Sequence, residues 1–297
     1  MSTLKILLGP MRMPFLTLTP ACVSLGVGSA IWTVGEVRVL FVVLALAGAL
    51  SAHISVNSLN EYFDYKSGLD FRTKRTPFSG GSGVLPGNPN MAGQALIIGM
   101  VTFVLTGIVG IYFLHVWGWR LLPLGLIGLF VIVFYTIWFT SNPLLCLVAP
   151  GLGFGTLMVT GTDFVLTGSY SCTAFVASLV PFFLVSNLLL LNQFPDVEPD
   201  RSAGRRHLPI TLGLKRSSLI YGLFLLLAYA SIALGVHLHY LPRFSLMGLF
   251  TIAIALPAFA GAYRFGENIK RLMPYLALNV AVVIVTPLLV AAGLFLG

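Results

Sequence analysis

Charge is scarce in this chain. Only 9% of its 297 residues are Asp, Glu, Lys or Arg, against about 25% in a soluble globular domain, and that excludes an ordinary water-soluble fold. Strict alternation of apolar and polar residues is also missing, which excludes an outer-membrane barrel. Cysteine is limited to Cys22, Cys146 and Cys172. The three are odd in number and scattered, with neither a metal-ligand spacing nor a disulfide framework, and they read as small apolar packing residues. The five histidines (His53, His115, His207, His237, His239) show no ligand spacing either. His237 and His239 share a short loop and read as exposed loop residues. Met1 to Pro14 lacks a short apolar core followed by a small-residue cleavage site, so the first spanning helix is expected to serve as the insertion signal.

What the chain has in abundance is apolar length. It is 57% hydrophobic with a mean hydropathy of +0.95, and apolar stretches of roughly 20 residues, enough to cross a hydrocarbon core as helix, recur along it. These predict an all-α, multi-pass transmembrane bundle forming a single membrane-embedded domain over 1–297. Nine spans are expected, approximately Pro14–Thr33, Val39–Phe63, Met91–Val116, Leu121–Phe139, Pro143–Gly161, Thr173–Phe194, Ser217–Leu238, Phe244–Tyr263 and Leu272–Leu296. The basic residues orient them. One side carries Lys5, Arg12, Lys66, Arg72, Lys74, Arg75, Arg201, Arg205, Arg206, Lys215, Arg216, Arg264, Lys270 and Arg271; the other has only Arg38, Arg120 and Arg243. Lys/Arg excess marks the cytoplasmic face, so the N-terminus and the even-numbered loops are expected inside and the C-terminus outside.

The nine acidic residues are not spread evenly. Glu61, Asp64 and Asp70 follow the second apolar segment, and Asp196, Glu198 and Asp200 follow the sixth. Both groups fall on the predicted cytoplasmic face. Carboxylates at a membrane boundary are costly unless something binds them, so a functional site is the default reading. Asn57, Asn60 and Asp64 share one helical face. Asn192, Asp196 and Asp200 follow a four-residue spacing, although Pro195 and Pro199 make that end irregular. Carboxylate and amide oxygens suit a hard cation. Mg²⁺ typically takes one or two carboxylates and completes its shell with water and substrate phosphate. Two facing clusters could therefore hold metals around one diphosphate. The basic residues behind them are what any inside loop carries, but interleaved with acids they look like a phosphate clamp. The run Ser79-Gly80-Gly81-Ser82-Gly83 reads as a lid or a plain loop; it lacks the Lys-Ser/Thr ending of a P-loop.

The motifs Asn57-x-x-Asn60-Glu61-Tyr62-x-Asp64-Tyr65-x-x-Gly68-x-Asp70 and Asn192-x-x-x-Asp196-x-x-x-Asp200-Arg201-x-x-Gly204-Arg205 resemble those of the UbiA superfamily of intramembrane aromatic prenyltransferases. The six-residue step from Asp64 to Asp70 is similar to the 1,4-dihydroxy-2-naphthoate branch, as are Tyr135-Thr136 and the Gly161-Thr162 region. The chain departs from the pattern with Glu61 in place of a common Asp and His207 in place of a common Thr. It also lacks charged residues over Phe139–Pro143 and Gly151–Phe154. The resemblance implies transfer of an isoprenyl chain from a prenyl diphosphate to an aromatic acceptor, in menaquinone or related lipid biosynthesis, at the inner (plasma) membrane. It implies Mg²⁺ held by Asn60, Asp64, Asp196 and Asp200, with Glu61 and Asp70 as further catalytic residues. Substrate contacts fall to Asn57, Lys66, Arg72, Lys74, Tyr135, Asn192, Arg201 and Arg205, although Tyr135 also reads as a membrane-interface anchor. The partners expected are the two substrates and the lipid bilayer, with no nucleic acid and no obligate protein partner.

Two other classes fit less well. A transporter places its ionisable residues near the bilayer midplane on broken helices, whereas these sit at one interface. A CDP-alcohol phosphotransferase would carry Asp-Gly-x-x-Ala-Arg ahead of its paired Asp residues, and that string is absent. The acceptor itself, whether a naphthoate, a benzoate, homogentisate, a lipid or haem, is not encoded by the spacing of these residues, and neither is the tail length.

Overall fold

A computed structural model describes residues 8–297 of the chain; Lys5 lies outside the described residues. Among these, every regular element is helical, and nine helices are long and apolar enough to cross a membrane: α1 Gly9–Val34, α2 Val39–Lys66, α3 Pro89–Trp117, α4 Trp119–Ile137, α5 Pro143–Thr167, α6 Cys172–Asn192, α7 Leu214–His237, α8 Arg243–Phe265 and α9 Ile269–Leu296. The protein is a multi-pass integral membrane protein. Most bounds lie within about three residues of the sequence expectation, and two differ by more. The first helix starts earlier, because Pro10 and Pro14 are accommodated in 3₁₀ turns ahead of the regular α-helix at Leu18. The fifth runs on to Thr167, carrying Asp163 inside the bundle.

The bundle has one large core, built around α6. Val180, Leu184, Leu190 and Leu191 pack there with Leu25, Tyr221, Ile232, Leu276 and Val290. Lipid tails are as apolar as these side chains, so interhelical hydrogen bonds and close packing hold the helices together. Asn187 Nδ2 of α6 donates to the Tyr221 carbonyl of α7 at 2.8 Å, and the Tyr221 hydroxyl donates to Asn279 Oδ1 of α9 at 3.1 Å. Tyr229, Thr251 and Thr286 link α7, α8 and α9 through hydroxyl contacts of 2.9 and 2.7 Å. A smaller core of Ala30, Phe41, Phe113, Leu121 and Phe164 closes the opposite end of α2, α3 and α4. Elsewhere α3 and α4 present Ile97, Val101, Ile108, Ile111, Leu126 and Phe130 outward.

The fifth helix is the irregular one. Pro150 removes a backbone donor, and the next residues, Leu152–Leu157, form a π-helical turn; such turns inside α-helices are frequent at functional sites. Gly155 makes the crossing with α6 close: a Cβ there would meet the Phe182 backbone and the Ser178 carbonyl. Beyond the turn, Asp163 accepts from Ser171 Oγ at 2.9 Å, and Ser171 in turn caps α6 by accepting from the Ala174 amide at 3.0 Å. Cys22 and Cys146 are buried, whereas Cys172 is exposed at the start of α6; that corrects its reading as a packing residue. Replacing Gly155 by Leu is expected to lower bundle stability by about 1–3 kcal/mol, the usual cost of overpacking. Gly107→Ala, where nothing stands within 4 Å, should leave the thermal midpoint in detergent unchanged. Equal midpoints for the two variants would contradict this account of the crossing.

Candidate active site

Helix α2 is 28 residues long, and Asn57, Asn60, Glu61 and Asp64 stand on its last turns. Opposite them, α6 ends at Asn192, the chain turns through Gln193–Asp196, and a short helix Val197–Ser202 follows. The two acidic stretches meet through Arg205. Its guanidinium pairs with Asp64 of the first stretch and, at 3.1 Å, with Asp200 of the second. The second Asp200 oxygen meets His207 Nε2 at 2.9 Å. A second arginine, Arg12, donates to Glu61 Oε1 at 2.8 Å and to Asn60 Oδ1 at 2.9 Å. Asn60 Nδ2 reaches Thr136 Oγ1 of α4 at 3.1 Å, and Asn57 Nδ2 the Met11 carbonyl at 3.0 Å.

The loop between α2 and α3 lies across both stretches. Ser82 donates to Glu61 with its backbone amide at 2.6 Å and its hydroxyl at 2.7 Å. Ser79 Oγ and the Gly80 amide donate to the two Asp196 oxygens at 3.3 and 3.1 Å. Gly80 and Gly81 hold φ of 81° and 68°, the left-handed region that glycine enters without a Cβ clash. A Cβ on Gly81 would also meet Glu61 and Asp70 oxygens at 3.0 and 3.3 Å. The glycine-rich run is therefore a strap fastened to a carboxylate of each cluster.

Beneath the strap opens a cavity of about 580 Å³. Arg12, Asn57, Asn60, Asp64, Asp70, Asn192, Asp196, Asp200 and Arg205 line its mouth, and Tyr135 and His53 stand further along its wall. From there it runs apolar between α2, α3, α4 and α5 to Phe113, Leu121 and Val165. Of the residues singled out from sequence, Lys66, Arg72, Lys74 and Arg201 lie outside this cavity. Lys66 sits over the Tyr62 ring, 5.8 Å from its centroid. Arg72 donates to the Ser202 carbonyl at 3.2 Å, Arg201 pairs with Glu198 at 2.9 Å in the open, and Lys74 is exposed. Their long side chains take the solvent that inside loops offer them. Glu61 is buried behind the mouth rather than in its lining. Tyr135 faces the cavity, which corrects its reading as an interface anchor. Cys146 also lines the cavity and accepts from Gln193 Nε2 at 3.2 Å, so it is more than packing. Sequence reasoning missed Arg12 and His53 as cavity residues. Arg12 was visible only as a topogenic charge, and no motif marks His53.

The donor set fits a hard divalent cation. Asp70 Oδ2 and Asn192 Oδ1 are buried acceptors with no hydrogen-bond partner among the described residues, and every candidate ligand is an oxygen. Among the described residues no three carboxylate, His or Cys side chains form a closed metal cage, which suits an ion that takes one or two carboxylates and substrate oxygens. Burial, reinforced by Glu61 and Asp64, pushes the Asp70 carboxyl up to about 7. Burial, reinforced by Asp200, pushes Asp196 up to about 7 as well.

The UbiA prenyltransferase family profile matches residues 21–281, and the chain belongs to that family. It is 27% identical to the 1,4-dihydroxy-2-naphthoate octaprenyltransferase of Bacillus subtilis over 187 residues, 61% of this chain and 57% of the relative. It is 26% identical to the 2-carboxy-1,4-naphthoquinone phytyltransferase of Synechocystis over 89% of this chain and 85% of that one. Identity is likewise 26% to the digeranylgeranylglyceryl phosphate synthase of Thermococcus kodakarensis, over 62% and 63%. The matched region thus spans less than two thirds of the Bacillus and Thermococcus relatives. The fold is shared with an apo UbiA homologue from Aeropyrum pernix (TM-score 0.71, 17% identity, 94% of this chain and 97% of that one). It is also shared with an Archaeoglobus fulgidus homologue bound to DMAPP and Mg²⁺ (TM-score 0.60, 14% identity, 96% and 99%).

Metal ligands bind deprotonated, so a carboxyl protonated before binding releases its proton on binding. With Asp70 and Asp196 both near 7, the apparent Mg²⁺ affinity is expected to rise as pH increases through about 7 and to level off above it. Calorimetry in two buffers of different ionisation enthalpy should show proton release at pH 6 that is largely gone at pH 8.5. The same heat in both buffers at pH 6 would contradict the assignment.

Proposed function

We propose that this chain transfers an isoprenyl group from a prenyl diphosphate to an aromatic acceptor, a 1,4-dihydroxy-2-naphthoate-like ring in quinone biosynthesis, as one membrane-embedded domain over 1–297. The observation that carries the proposal is the convergence of both acidic stretches at the mouth of one long apolar cavity. The naphthoate reading rests on the step from Asp64 to Asp70 and on two relatives whose names give naphthoid acceptors. A glyceryl phosphate acceptor is the second reading, favoured by the Thermococcus relative. The excess of basic residues on that side supports a mouth on the cytoplasmic side of the cell membrane.

In this reading Asn60, Asp64, Asp196 and Asp200 hold Mg²⁺, with Asp70 and Asn192 supplying the free oxygens noted above. The bound ion supplies Lewis-acid stabilisation of the departing diphosphate. Arg12 and Arg205, which pair with the carboxylates when no substrate is bound, turn their N–H groups to diphosphate oxygens. The strap amides at Gly80 and Ser82 close over the mouth. Breaking the C1–O bond, whose electron pair leaves with the diphosphate, gives an allylic cation. The apolar wall shields it from water, and the electron-rich ring attacks it, the attacked ring carbon then shedding its proton, or CO₂ where it carries a carboxylate, to restore aromaticity. Asp64→Ala and Asp196→Ala are each expected to lower Mg²⁺-dependent prenyl transfer by roughly 10²–10³-fold, the scale of removing one preorganised electrostatic group. Both should still insert normally. Membranes assayed with several prenyl diphosphates, a panel of aromatic acceptors and a glyceryl phosphate, with products identified by mass, test the proposal; full activity of either variant would sink it.

A further inference from the structure

Halfway along α2, His53 is buried yet lines the cavity. Its Nδ1 lies 2.7 Å from the Thr19 hydroxyl of α1, and its ring stands edge-on to Phe154 of the π-helical turn, with centroids 4.5 Å apart. Thr19 is fully buried, and among the described residues His53 Nδ1 is the one hydrogen-bond partner of its hydroxyl. If Nδ1 carried the proton, that buried hydroxyl hydrogen would have no acceptor. The network is satisfied when Thr19 donates to Nδ1, which assigns the proton to Nε2. Among the described residues Nε2 has no partner, so at this depth His53 offers the cavity a neutral N–H donor. Along the helix it lies about 10 Å below Asn60, at 1.5 Å per residue. A prenyl chain whose diphosphate sat at Asn60 and Asp64 would place C1, and a ring standing against it, below the mouth on the side of His53.

We infer that His53 is an acceptor-binding residue: its Nε2–H donates to a ring oxygen of the aromatic acceptor, and Thr19 is the positioning residue that fixes this tautomer. The inference rests on the function proposed above. The tautomer has a chemical consequence. An imidazole nitrogen with a free lone pair beside an allylic cation is a nucleophile that would be alkylated. With the lone pair of Nδ1 tied to Thr19 and Nε2 protonated, the ring offers the cation no such pair. Phe154, placed by the π-helical turn, holds the imidazole plane, so the irregularity of α5 has a role at the site.

The test uses the full chain in nanodiscs with Mg²⁺, geranyl diphosphate and whichever aromatic acceptor the wild type prenylates, beginning with 1,4-dihydroxy-2-naphthoate. His53→Phe is expected to raise KM for the acceptor roughly tenfold, one hydrogen bond's worth, and to leave KM for geranyl diphosphate within about twofold. His53→Asn, which keeps an N–H, should recover most of the loss. Thr19→Val should shift the ¹⁵N signals of the labelled His53 ring away from the Nε2–H pattern and raise the acceptor KM with an unchanged thermal midpoint. An acceptor analogue lacking the ring hydroxyl should be penalised in the wild type but not in His53→Phe, a comparison that survives a modest loss of stability. An unchanged acceptor KM in His53→Phe, or an equal rise for geranyl diphosphate, overturns the inference. A wild type that prenylates no aromatic acceptor overturns the proposed function first, and is read before any variant.

Discussion

Arg205 stands between Asp64 and Asp200, and it is the constraint from which the rest of the site follows. The two carboxylates come from stretches some 130 residues apart in a chain with nine acidic residues. Both are buried, where an unpaired charge costs several kcal/mol. One guanidinium offers five N–H donors in a planar fork, which lets it serve two carboxylates at once and fixes the end of α2 against the turn after α6. Lysine, a point charge on a flexible stem, would neutralise one of them without fixing the distance between them. His207 completes the arrangement as a second donor on the same carboxylate, at the far oxygen of Asp200.

Charge balance explains why this cluster suits chemistry rather than architecture. Five carboxyl groups (Glu61, Asp64, Asp70, Asp196, Asp200) face two guanidiniums (Arg12, Arg205). Burial holds Asp70 and Asp196 near 7, which removes part of the excess by protonation. Asp70 Oδ2 and Asn192 Oδ1 have no hydrogen-bond partner among the described residues, which leaves oxygens available at the mouth. The strap uses Ser79, Gly80 and Ser82 to satisfy oxygens that the helices leave open, and it does so with backbone amides and hydroxyls that add no charge.

Much of this architecture was readable from the chain. Runs of about 20 apolar residues have one stable solution in lipid, the helix, so the nine spans emerged with errors only at their ends. The pairing of Asn and Asp at helical spacing marked the α2 face, because on a regular helix spacing is orientation. Spacing ceased to be informative where the backbone stopped being regular. The π-helical turn at Leu152–Leu157, which aims Phe154 at His53, follows from packing against α6 and has no local signature beyond Pro150 and its glycines. The basic residues were legible as charges but not as neighbours. Lys66, Arg72, Lys74 and Arg201 read the same as Arg205, yet only Arg205 turns inward, because Asp64 and Asp200 reach it from two directions. Arg12 was invisible for the complementary reason: its partners, Glu61 and Asn60, are about 50 residues away.

The cavity sets a different problem from the mouth. Its far wall is made by α3 and α4, the helices least enclosed by the bundle, while its near wall is α2 and the rigid α5–α6 crossing. Gly107, Gly110, Gly125 and Gly128 lie along α3 and α4 with open space where a Cβ would stand, so few side chains of this wall crowd those positions. A long flexible tail is best accommodated against helices that can yield in lipid. A cation at its head needs fixed dipoles, because donors that must reorganise at the moment of reaction stabilise it less. The cavity thus lies between an enclosed half bearing Arg205, Asp200 and Asn192 and the outward-facing α3 and α4, with α2 as the shared wall that carries polar residues at one end and Gly48 and Ala45 at the other.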